Sequence, residues 1–233
     1  MDTTPIELSP GTSLIDVALQ KMKHAIVCCE LPPGFKLKVD ALSKQYGISS
    51  SPIREALNRL AQEGVVTASD NKGFRVAPIT VEDFREITRV RVLLECEALS
   101  DAMKYGDDAW EGDVLAAFHR LSVTEKRMGQ GPVALNDDWA ERHKHYHFTL
   151  FSACPSTLLL SMVDSLFDRA ERYRRFSAMH RQTERHKSNE HQMLMEAVLA
   201  RDHDKAVGML RRHIEHTQDT VTEAILRQQA TLQ

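Results

Sequence analysis

The chain has 233 residues, 42% of them hydrophobic, and a formal net charge of -3. That suffices for one large domain or two smaller ones, and no stretch approaches the roughly 18 unbroken apolar residues of a membrane span. The N-terminus, MDTTPIELSPGTS, lacks the basic and apolar regions of a signal peptide, so a cytoplasmic protein with no membrane partner is expected. Cys28, Cys29, Cys96 and Cys154 fit neither a CxxC metal knuckle nor a disulfide framework. Residues 1–78 carry nine Lys/Arg against eight Asp/Glu, a balance of only +1. Bulk charge therefore argues weakly against nucleic acid, although a few placed cations suffice for one specific duplex site.

The composition shifts near Pro78, which divides the chain into residues 1–78 and 79–233. In the first part Leu14, Val17, Ala18, Met22, Ala25 and Ile26 recur at helical spacing until Leu31-Pro32-Pro33-Gly34 stops them. A short helix from about Asp40 to Tyr46 follows, and Gly47 suits a tight turn. The next helix starts within Ser49–Ser51, carries Ile53, Ala56, Leu57 and Leu60 on one face, and ends at Gly64. Val65–Ala68 and Phe74–Ala77 then flank Asp70-Asn71-Lys72-Gly73, a hairpin signal in which Gly73 supplies a positive φ. From Thr80, an N-cap candidate, the chain reads as long amphipathic helices to about Tyr105 and near 108–128, 137–154, 156–179, 183–201 and 203–229. The fold class is mainly α: an N-terminal winged helix-turn-helix and a C-terminal all-α bundle.

A helix-turn-helix puts its second helix in the major groove with the N-terminal residues at base edges. Here that end is Ser49-Ser50-Ser51-Pro52-Ile53-Arg54. Hydroxyls and free amides at a helix start suit phosphate, Arg54 is placed to reach a guanine edge, and Asn58 lies one turn on along the same face. Lys72 at the hairpin tip, beside Gly73, would touch phosphate or the minor groove. In isolation each of these is as readily a helix cap or a solvated side chain; together, at this spacing, they point to a double-stranded DNA operator.

The segments Leu31-Pro32-Pro33-Gly34, Tyr46-Gly47-Ile48-Ser49, Pro52-Ile53-Arg54-Glu55-Ala56-Leu57, Glu63-Gly64 and Lys72-Gly73-Phe74-Arg75-Val76 resemble the GntR family of bacterial regulators. That family often has arginine where this chain has Ser50, so its operator preference does not carry over.

Eleven histidines is a high count. His143 and His147 are spaced i, i+4, which is how one helix offers two imidazoles to a metal ion; His191 and His213 sit further along. The second part resembles the FCD ligand-binding domain of the FadR subgroup of that family, through Arg91-Val-Leu-Leu-Glu95, His143-x3-His147, Glu190-His191 and Arg212-His213. The resemblance implies a divalent-metal site at His143, His147, His191 and His213, with His143 where an aspartate is usual. Four imidazoles tilt the ion toward Zn or Ni. It also implies that Arg91 meets a small carboxylate effector; an ion pair with Glu95, one turn on, is the structural alternative. A homodimeric repressor controlled by that effector follows from the resemblance. Two other functions compete with it, a metal-dependent enzyme acting on a small organic acid and a sensor of the ion itself. The His143–His147 segment lacks the glutamate base of an HExxH motif, which weighs against the enzyme.

Overall fold

A computed structural model describes residues 13–69, 73–128, 136–180 and 189–231. They fall into two compact units, Met1–Pro78 and Ile79–Gln233.

In the first unit, α1 (Leu14–Val27) is capped by Ser13, whose hydroxyl accepts from the Asp16 amide, and buries Ala18, Met22, Ala25 and Ile26. After the Pro32-Pro33 stop comes a two-residue strand, β1 (Lys36–Leu37), which the hydrophobic pattern does not predict because two residues are too short to show alternation. Helix α2 (Val39–Tyr46) ends on Gly47 at φ +65°, a left-handed cap that glycine adopts without cost and that turns the chain into α3 (Ser50–Gln62). Strands β2 (Val66–Ser69) and β3 (Gly73–Val76) pair antiparallel, and β1 adds to the other edge of β3, giving the order β1-β3-β2. The predicted two-stranded hairpin is thus a three-stranded wing, with Gly73 at φ +74°. The core joins Met22 and Ile26 of α1 to Leu42, to Ile53, Leu57 and Leu60 of α3, and to Phe74 and Val76 of the wing. Side chains of this size, fully buried, contribute about 1.5–3 kcal/mol each.

The second unit is helical throughout its described residues: α4 (Val81–Tyr105), α5 (Asp108–Arg127), α6 (Asp137–Phe151), α7 (Thr157–His180), α8 (Glu190–Leu199) and α9 (His203–Thr231). Thr80 caps α4 by accepting from the Asp83 amide, as its spacing predicts. Gly106 leaves room for the Trp110 ring, which a Cβ would overlap. Two boundaries differ from the sequence reading. Helix α6 stops at Phe151, where Ser152 and Cys154 turn back onto Thr149 and Phe151. Helix α8 starts at Glu190, and residues 183–188 of the predicted 183–201 helix lie outside the described residues. Helix α4 packs on α7 and α9, α5 on α6, and α8 on α9. Trp139, Tyr146 and Phe151 of α6 and Phe167 of α7 are buried between them. No helix among the described residues is long and apolar enough to cross a membrane.

Candidate functional site

The exposed face of α3 is built by its amphipathic sequence. Burying Ile53, Ala56, Leu57 and Leu60 turns Ser50, Ser51, Arg54 and Asn58 outward, with Ser49 exposed just before them. Ser49 makes no side-chain cap, and the first turn has no acidic residue, so nothing offsets the positive end of the helix dipole. Arg54 has no ion-pair partner among the described residues, whereas Arg59 is held by Asp16 and Glu55. Gly73 is exposed, and Lys72 lies outside the described residues. The wing adds two cations that sequence reading passed over. Lys36 and Arg75 are direct cross-strand partners, both exposed, and Arg75 Nη1 also donates to the Gly34 carbonyl. Like charges placed opposite one another are unfavourable without an anion. Their pairing is invisible without β1.

In the helical unit, His143 and His147 of α6, His191 of α8 and His213 of α9 converge. One nitrogen from each ring lies within 4.8 Å of the others, and all four side chains are buried. Nδ1 of His143 and both ring nitrogens of His147 are buried without a hydrogen-bond partner. An orphaned ring nitrogen costs about 1–3 kcal/mol if nothing binds it. Burial, and after it His147 and His191, hold His143 well below the usual imidazole range; burial and then His213 do the same for His147. These rings are therefore neutral, the form that offers a lone pair to a metal. Four neutral imidazoles around one point are a donor set that fits a borderline-soft divalent ion.

Outer contacts set the ring orientations. Glu190 bridges His213 Nδ1 at 2.8 Å and His216 Nδ1 at 3.2 Å. A proton on Nδ1 of His213 directs its Nε2 inward. Tyr146 donates its hydroxyl to the His191 carbonyl, Glu125 lies 3.9 Å from His191 Nδ1, and Trp139 stacks on His143 with centroids 4.6 Å apart. The positioning role of Glu190 and the Trp139–His143 stack were not read from sequence, although the i, i+4 spacing of the stacked pair was a usable signal.

Arg91 forms the ion pair that its spacing allowed: Nε lies 2.6 Å from Glu95 Oε1, with both side chains buried. The pair uses Nε alone. The Arg91 guanidinium sits 5.3 Å from the centroid of the Phe167 ring, and that ring lies 5.8 Å from both His143 and His147. A second guanidinium, that of Arg174, lies 4.4 Å from the same ring.

Comparison with known proteins gives these sites their context. Residues 14–76 match the family of bacterial regulatory proteins named gntR, and residues 86–216 match the FCD domain. The chain is similar to the HTH-type transcriptional regulator BphR of Paraburkholderia xenovorans, 34% identical over 222 residues, covering 95% of this chain and 91% of that protein. It is also similar to the HTH-type transcriptional repressor GlaR of Escherichia coli, 35% identical over 197 residues, covering 83% and 89%. Among solved structures, Escherichia coli McbR/YncC superposes with a TM-score of 0.72 over 94% of this chain and 99% of that one; at 20% identity it speaks to the fold alone. With a winged helix in its first unit and the FCD match spanning most of its second, the chain belongs to the GntR family of DNA-binding bacterial transcriptional regulators.

Proposed function

We propose that the protein is a homodimeric repressor whose operator affinity is controlled by a small carboxylate bound beside a divalent metal in the helical unit. The observation that carries this reading is the buried four-histidine cluster with orphaned ring nitrogens inside the FCD match. A divalent ion, Zn or Ni for this donor set, would supply a Lewis-acidic seat for a carboxylate oxygen. His143, His147, His191 and His213 hold it, Glu190 orients His213, and Arg91, still paired to Glu95, faces the effector.

On the DNA side, Ser49, Ser50 and Ser51 bind phosphate at the start of α3, Arg54 and Asn58 reach base edges, and Lys36, Lys72, Gly73 and Arg75 carry the wing along the backbone. So few cations per subunit favour two-fold binding to paired half-sites, in which a small change in spacing weakens the complex. Repression fits the GlaR likeness, since that relative is named a repressor.

The expected result is that the purified protein holds equimolar Zn or Ni, and that His147→Ala/His191→Ala loses both the metal and any thermal stabilisation by small organic acids. A metal-free wild type, unmoved by those substitutions, would overturn the site. In a gel shift at fixed salt, Arg54→Ala should cost about 1–3 kcal/mol of specific affinity. Equal affinity of the wild type for a selected palindrome and for random duplex would overturn the regulator reading of these residues. A change in operator affinity with metal alone, and none with organic acids, would make the ion the signal.

A further inference from the structure

Apart from the residues assigned to DNA, the first unit carries a group of nucleophilic side chains at the end of α1. We propose that Cys28 and Cys29, with His24 beside them, are a peroxide-oxidised dithiol whose reversible closure to a disulfide loosens the hold of the wing on DNA.

Cys28 is the C-cap of α1, and its Sγ lies 3.5 Å from Nε2 and 3.8 Å from Nδ1 of His24, one turn earlier. The imidazole is exposed and both thiols are half-buried, whereas Cys96 and Cys154 are buried in the helical unit. The attacking form of a cysteine is the thiolate. The negative end of the α1 dipole disfavours that form but favours a protonated imidazole in the last turn. Transfer of the Cys28 proton to His24 is therefore the activating step.

Cys29 sits at φ +60°, with its amide on the Ile26 carbonyl and the Leu31 amide on the Ala25 carbonyl. This is the left-handed helix cap that glycine usually fills. A side chain held there is strained, and such strain gathers at functional positions. A trans peptide joins the two cysteines, so their Cα atoms are about 3.8 Å apart, less than the roughly 4.4 Å a relaxed disulfide needs. Closing the bond must move the turn, and the strained product is readily reduced again.

That turn is tied to the wing. After Glu30-Leu31-Pro32-Pro33, a linker stiffened by its prolines, the Gly34 amide donates to the Val76 carbonyl, the Val76 amide to the Phe35 carbonyl, and Arg75 Nη1 to the Gly34 carbonyl. Lys36, opposite Arg75, follows at once. In the reaction, the Cys28 thiolate attacks one oxygen of a hydroperoxide and breaks the O–O bond. The departing oxygen takes the proton from His24, which leaves a sulfenic acid on Cys28. Cys29 sulfur then attacks that sulfur and loses its own proton to the departing hydroxyl, which leaves as water. The two thiols are oxidised by two electrons, and the peroxide is reduced.

The test treats full-length protein with hydrogen peroxide, maps the thiols by peptide mass, and measures affinity for a duplex that the reduced protein selects from random sequence. A Cys28–Cys29 link should form while Cys96 and Cys154 stay reduced. Duplex affinity should fall about fivefold or more, the lower end of usual coupling between two sites, and return with dithiothreitol. His24→Gln should slow the reaction about tenfold by removing the proton acceptor. Cys29→Gly puts the preferred residue in the left-handed cap, so it should keep its thermal stability and its duplex binding. Its oxidation should stop at a sulfenic acid that dimedone captures, and its duplex affinity should not respond to peroxide. Thiols 28 and 29 that react no faster than Cys96 and Cys154, or that link to another chain, would overturn the dithiol. An unchanged rate in His24→Gln would overturn the part given to the imidazole. A link that forms and leaves duplex affinity unmoved would overturn its tie to the wing.

Discussion

The two units place their charged groups in opposite environments. In the winged helix, Arg54, Lys36 and Arg75 are exposed, and the start of α3 is uncapped by any acid. In the helical unit, four histidines, Arg91 and Arg174 are buried, the two guanidiniums paired with the buried carboxylates of Glu95 and Glu171. The first arrangement is governed by salt, because exposed charges a Debye length of about 8 Å or more apart are screened at physiological ionic strength. The second is governed by protons and by whatever fills the site, because burial multiplies the cost of each uncompensated charge. One molecule therefore carries a salt-tuned exposed surface and a solvent-poor interior.

The largest effect expected from this contrast is acid sensitivity confined to the helical unit. His143 and His147 have folded pKa values held below the ordinary 6.5, so the unfolded chain takes up protons first as the pH falls. Stability is fully present above about pH 6.5 and is lost below it, by about 1.4 kcal/mol per pH unit for each ring until the folded form also protonates. The winged unit has a single histidine, His24, on the surface of α1. Both tryptophans, Trp110 and Trp139, belong to the helical unit, so urea unfolding of the metal-free protein followed by tryptophan fluorescence reports that unit alone. A midpoint unchanged between pH 7 and pH 5.5 would break the comparison.

Glu190→Gln is the next largest. It keeps the size of the side chain but weakens its hold on His213 Nδ1, and should lower metal affinity about 10–100-fold with little change in the stability of the metal-free protein. Competition with a chelator measures it, and an unchanged affinity would remove Glu190 as a positioning residue. The smallest effect is on the wing: Lys36→Ala should reduce the slope of log affinity against log salt by about one per subunit, uniformly over DNA sequences. A sequence-dependent loss would instead place Lys36 at a base.

The same contrast explains what the sequence disclosed. The group proposed to face DNA is nearly contiguous: Ser49 to Asn58 lie on one short helix and its cap, whose apolar stripe is plain, so local periodicity orients it. Strand β1 escaped because pairing with β3 brings Lys36 to Arg75 across 39 positions, and no window over so short a strand shows a period. In the helical unit only His143 and His147 could be paired from spacing. The convergence of His191 and His213 depends on how α8 and α9 pack, and before the structure it rested on family likeness alone. Arg174 and Phe167 lay in an amphipathic stretch whose arginines look alike until burial separates them.

The most direct measurement of the central claim is fluorescence anisotropy at fixed salt, using a duplex that the zinc-loaded protein itself selects from random sequence. Titrated with and without succinate or glutarate, the wild type should bind that duplex about tenfold or more weakly in the presence of at least one of the two acids, within the usual range of coupling between two sites. His147→Ala/His191→Ala should bind it without responding to the acid. A response that survives in the double variant, or a wild type indifferent to succinate and glutarate alike, would contradict control of the DNA-reading helix by a carboxylate seated at the four histidines.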